Sequence, residues 1–118
     1  MKIKATFFIC GCALLLITGC SKSKSVTQPS VDACAGLSFK FSADVQPIIN
    51  ATCTTNSNCH AAGSTNAGGP LTDYNKIFAK RSNISGQVSA GIMPQNTTLS
   101  ADQKNKILCW INSGAPNN

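Results

Sequence analysis

Cys53-Thr54-Thr55-Asn56-Ser57-Asn58-Cys59-His60 decides how the rest of this sequence is read. His60 is the only histidine in the chain and directly follows a cysteine, while five residues, Thr54 to Asn58, separate the two cysteines. Upstream, Phe41, Val45, Ile48 and Ile49 fall on one helical face, and their helix runs straight into Cys53. Ser42 or Asp44 can cap that helix, and Pro47 fits only its first turn, where a missing N–H has no partner to lose. Downstream, residues 61–70 read Ala-Ala-Gly-Ser-Thr-Asn-Ala-Gly-Gly-Pro. With three glycines, a proline and no bulky apolar group, this is a loop that either passes close to something or is merely flexible.

Two further helical segments follow. Thr72 can cap a helix over 73–80 that turns Tyr74, Ile77 and Phe78 inward, and 84–90 suggests a further short turn. Gly91-Ile92-Met93-Pro94 then stops any helix at the proline. The last helix is the best marked. Ser100 with Gln103 three residues on forms a capping box, Gly114 ends the helix, and Pro116 lies just beyond. Ile107, Leu108 and Ile111 form its apolar stripe, with Trp110 at the edge. No stretch shows sustained strand alternation, so the fold class is all-α.

The chain has 118 residues, enough for one domain. Lys2 and Lys4 precede an apolar run, Ala5 to Ile17, that is too short to span a bilayer and has the charge layout of a secretory signal. It ends in Ile17-Thr18-Gly19-Cys20, which resembles the lipobox of bacterial lipoproteins. That resemblance implies cleavage of residues 1–19 and lipid on Cys20; an uncleaved anchor is the alternative. Both place the remainder outside the cytoplasm, in the cell envelope. Residues 20–33 are polar and serine-rich with one proline, the composition of a flexible tether. The ordered domain is expected over 34–118.

From Cys20 onward eight basic residues face four aspartates and no glutamate, a net charge of about +4. Such a balance is either a solvated surface or a basic face that docks an acidic partner. No basic cluster is interleaved with aromatics, which argues against nucleic acid.

Cys10 and Cys12 leave with the expected leader and Cys20 with its lipid, so Cys34, Cys53, Cys59 and Cys109 remain. In an oxidising compartment four cysteines should be paired or modified. A cysteine–histidine pair with a second cysteine upstream is the outline of a c-type haem attachment site. Two thiols add across the haem vinyl groups, and the adjacent imidazole meets one face of the iron. The usual spacer is two residues rather than five. If haem takes Cys53 and Cys59, Cys34 and Cys109 are left to form one disulfide; without haem, three pairings are open.

In order, the chain offers Val-Gln-Pro-Ile-Ile leading to a cysteine, then Cys-His, a glycine-rich loop, an Asp-Tyr helix, Gly-Ile-Met-Pro and a last helix ending Trp-Ile-Asn-Ser-Gly-Ala-Pro. From Phe39 to the C-terminus this order resembles the small exported class I cytochrome c domains of Bacteroidetes and Planctomycetes type. The resemblance implies a cytochrome c-like helical domain wrapped around one covalent haem c. Cys53 and Cys59 would carry the thioethers, His60 would be the proximal ligand and Met93 the distal one. The spacer between the cysteines varies in that family.

The residues bear on this independently. His60 is the only imidazole, and Met93 is the only methionine besides Met1. A thioether suits ferrous iron, although Met93 beside Ile92 also reads as core filling. A domain of some eighty residues with few large side chains gains from the apolar mass of a cofactor and from one disulfide staple. Three other readings stay open: a Cys53–Cys59 disulfide loop, attachment through Cys59 alone, and zinc, for which adjacent Cys59 and His60 are awkward joint ligands.

No serine–histidine–acid set or carboxylate pair marks an enzyme. The functional expectation is a monomeric, membrane-tethered electron carrier with His/Met-ligated iron and redox proteins as partners. The alternative is a non-redox envelope lipoprotein domain stapled by two disulfides.

Overall fold

The computed structural model describes residues 31–118. The expected leader over 1–19, lipid-bearing Cys20 and most of the tether lie outside the described residues. The described residues are helical, with no strand among them. A 3₁₀ turn, Val31–Cys34, comes first. A π-helical turn, Phe41–Val45, then passes directly into helix α1, Gln46–Thr52. Helix α2 is Tyr74–Ser89 and helix α3 is Ala101–Asn112.

Pro47 lies in the first turn of α1, where no intrahelical N–H is needed. The caps differ from those expected. Lys40 and Val45 occupy the two N-cap positions without a side-chain bond, so neither Ser42 nor Asp44 is a cap residue. Asp44 instead accepts the Lys40 N–H at 2.8 Å from inside the turn. The second helix is twice the expected length, because 81–89 continues it rather than forming a separate turn. Its cap is Asp73, whose carboxylate accepts the Lys76 N–H at 3.1 Å. Thr72 accepts the Lys76 ammonium instead, at 2.9 Å.

Helix α3 starts on a complete capping box. Ser100 Oγ accepts the Gln103 N–H at 3.2 Å, and Gln103 Oε1 accepts the Ser100 N–H at 2.9 Å. Gly114, at φ +98°, turns the chain back so that Ala115 is buried. The resulting hook holds the last residues against the body. Tyr74 Oη donates to Ala115 O and Trp110 Nε1 to Pro116 O, both at 2.9 Å. Asn118 Oδ1 accepts the Phe41 N–H at 2.8 Å, which supplies the π-helical turn with a distant partner for an end N–H.

Helix α3 packs against α2, the π-helical turn and the 3₁₀ turn. Trp110 is fully buried, at the centre of the core rather than at the edge of a stripe. Phe41 lies 5.1 Å from Tyr74, edge to face, and 5.4 Å from Trp110; Tyr74 stacks on Phe78 at 5.5 Å. Aromatic pairs at these distances add to what burial alone contributes. A disulfide joins Cys34 to Cys109 across 75 positions and ties the entrance of the domain to its last helix.

Candidate functional site

Cys53 occupies the C-cap of α1, its N–H still bonded to Ile49 O at 2.8 Å. Its own carbonyl accepts the His60 N–H at 2.9 Å, so the stretch between them closes as a loop whose ends meet. Asn56 organises the interior. Its carbonyl and its side-chain oxygen both accept the Cys59 N–H, at 3.0 and 3.1 Å, and the carbonyl also takes Ala61 N–H at 3.1 Å. Ser64 Oγ donates to Cys59 O at 2.5 Å, and the Asn66 amide donates to Asn58 O. Short polar side chains thus stabilise the five-residue spacer through its backbone, and Thr55 Oγ1 donates to Cys59 Sγ at 3.5 Å.

Cys53 and Cys59 are free thiols, each half-buried. The second bridge required by the two-disulfide reading is therefore not formed among the described residues. Burial pushes the Cys53 thiol above its ordinary range. The Thr52 hydroxyl, 3.5 Å from Cys53 Sγ, works against that shift, and the nearby Cys59 adds to it. Among the described residues no three His, Cys, Asp or Glu side chains gather in a group that could hold a metal ion, so no tetrahedral zinc set is assembled.

His60 Nδ1 lies 2.8 Å from Gly69 O. A carbonyl can only accept, so the proton sits on Nδ1 and the Nε2 lone pair is left for a ligand. The glycine-rich loop does pass close to something: a Cβ at Gly68 would stand 3.5 Å from His60 Cε1, and its φ of +101° disfavours any other residue. The Leu71 N–H returns to His60 O at 2.8 Å and fixes the far end of that loop.

Met93 reaches the site from the segment that follows α2. After α2 the chain reverses at Gly91, φ +68°, and the N–H groups of Ile92 and Met93 both bond to Gln87 O, at 3.0 and 3.3 Å. The half-buried Met93 is thereby set against the last turns of α2.

These segments line a partly open cavity of about 710 Å³. Cys53, Cys59, His60 and Met93 all line it, and its apolar wall is aliphatic: Ile49, Leu71, Ile84, Val88 and Ile107. Among the described residues no Phe, Tyr or Trp side chain contributes. The volume lies within the range of small-molecule and cofactor sites. Two free thiols, an imidazole with its outer nitrogen tied back, and a thioether on one aliphatic wall suit the covalent haem that the sequence pattern implies. Cys34 and Cys109 take no part in the cavity. Sequence reading missed the Gly69 carbonyl and the amides of Asn83 and Gln87; the Gly68-Gly69-Pro70 run was the available signal for the first.

No family model, curated protein or solved structure matches the chain. No helix among the described residues is long and apolar enough to cross a membrane.

Proposed function

We propose that this chain is a monohaem c-type cytochrome that carries electrons at the cell envelope, lipid-anchored through Cys20 and docked to acidic redox partners. One observation carries the reading: Cys53, Cys59, His60 and Met93, spread over forty positions of sequence, line a single aliphatic cavity. Haem would supply an iron centre that takes up and releases one electron. The chain would supply the attachment, the ligands and an aliphatic wall.

Each thiol would add its sulfur to one carbon of a vinyl group and its proton to the next, so attachment needs no external oxidant. The Gly69 carbonyl holds the His60 ring in one tautomer and orientation and makes Nε2 a better donor. The Met93 thioether, a soft neutral ligand, favours the ferrous state and raises the potential. The aliphatic residues Ile49, Leu71, Ile84, Val88 and Ile107 would cover part of a bound haem and lower the dielectric on that side. His60 and Met93 would both hold the iron, an arrangement that suits electron transfer rather than substrate chemistry.

The test is Met93→Ala in protein made with a cytochrome c maturation system. Haem should remain covalently bound while the potential falls, carbon monoxide gains access, and the weak long-wavelength absorption of methionine–ferric coordination disappears. An unchanged spectrum and potential would show that another group holds that position.

A further inference from the structure

The polar part of the cavity lining comes from the loops beside His60 (Asn58, Asn66), from the segment after Met93 (Gln95 to Thr97) and from α2, and only the α2 part carries a charge. Along α2, Ile84 and Val88 form an apolar row, and Lys80, Asn83 and Gln87 form a polar row beside it at spacings of three and four residues. Among the described residues Lys80 is the only charged side chain on the cavity, and no aspartate lines it. The other cations of α2 are engaged. Lys76 pairs with Asp73 at 2.5 Å, while Arg81 bonds the Phe78 carbonyl at 2.8 Å and lies 4.0 Å from the centre of the Phe78 ring. Lys80 has no ion pair among the described residues, and the side-chain amides of Asn83 and Gln87 have no protein partner there.

On α2, three donors without a protein partner, one of them a cation, thus border the apolar wall of a cavity that no acidic group lines among the described residues. That pattern complements a flat apolar ligand with carboxylates on one edge, because an ammonium and two amides can each donate to carboxylate oxygens. We infer that Lys80, Asn83 and Gln87 form the carboxylate-binding edge of this cavity and orient haem with its propionate side chains against α2. The inference rests on the haem reading and adds the direction in which the cofactor lies.

The test compares haemin with its dimethyl ester, which keeps the apolar body and removes both charges. Each is titrated by absorbance into the full chain made without a maturation system. Lys80→Gln should weaken haemin roughly tenfold, the scale of one charge-assisted hydrogen bond, and leave the ester unchanged. Lys80→Arg should restore most of the haemin affinity. Equal weakening of both probes, or of neither, would overturn the inference while leaving the haem reading intact. Failure of the unaltered chain to take up either probe would overturn both.

A second measurement uses the covalently loaded protein. Lys80→Gln should retain bound haem and the ligand spectrum, lower the midpoint potential, and move its pH-dependent step upward as the carboxylates lose their counter-charge. A potential unchanged from pH 5 to pH 9 would contradict the assignment.

Discussion

The two halves of this domain solve the packing problem in opposite ways. Around Trp110 the protein fills itself. Phe41, Tyr74 and Phe78 cluster there, the C-terminal hook satisfies the Tyr74 hydroxyl and the indole N–H, and a disulfide staples the same end. Around His60 it does not. Among the described residues the apolar wall of a cavity of about 710 Å³ is aliphatic, its remaining lining is polar, and the loops there are held by their own backbone and by short polar side chains. Helix α2 belongs to both halves, with Tyr74 and Phe78 in the first and Ile84 and Val88 in the second. A domain this small cannot easily leave such a volume unfilled and remain well packed, so the contrast marks where a ligand belongs.

Removing the staple should have the largest effect on stability. Replacing both Cys34 and Cys109 with alanine frees a loop of 75 positions, which the chain-entropy model equates with up to about 4.5 kcal/mol. Thermal unfolding of the two-alanine variant, with and without reductant, reads this directly. A stability loss below about 1 kcal/mol would mean that the filled half holds without its staple.

A matched pair of truncations sharpens the contrast. Ile77→Ala, at a fully buried position, should cost about 2–5 kcal/mol in any form of the protein. Ile84→Ala, on the cavity wall, should cost less before a cofactor is attached and approach the same range afterwards, because only then does Ile84 have neighbours on both sides. Equal costs in the two forms would break the comparison.

A smaller effect concerns Cys53. Burial favours its neutral form in the folded chain, so that contribution to stability is fully present below the ordinary thiol range and is lost as pH rises from there through the raised value of the folded chain. Alkylation of Cys53 in a Cys59→Ser variant should accordingly be slower at pH 8 in the folded chain than in denaturant. Equal rates would show that the thiol is not sheltered. Least of all, Ser100→Ala should cost about 1 kcal/mol by removing one half of the α3 capping box.

How far the sequence discloses this arrangement depends on whether a feature is local. The box at Ser100 and Gln103 is local, and α3 begins where those two residues put it. Helix α2 is harder, because Arg81-Ser82-Asn83 and Gly86 interrupt its apolar period. Those positions face solvent or the cavity rim, while Ile84 and Val88 sustain the inner row, so the helix continues where periodicity alone breaks off. Trp110 reads as a stripe-edge residue until the hook at Gly114 supplies both its cover and the partner for its N–H. At the candidate site, Cys53, Cys59 and His60 are neighbours in sequence. The Gly69 carbonyl and the Lys80 row reach the same cavity only through the fold.

Covalent haem on the peptide spanning Cys53 to His60 is the most direct measure of what fills the open half. The full chain, made in a host with a cytochrome c maturation system, would be digested without reduction and its fragments weighed. The predicted result is one haem on the fragment containing Cys53, Cys59 and His60, together with a separate Cys34–Cys109 linkage. A folded, colourless protein carrying that linkage but with Cys53 and Cys59 unmodified would contradict the account.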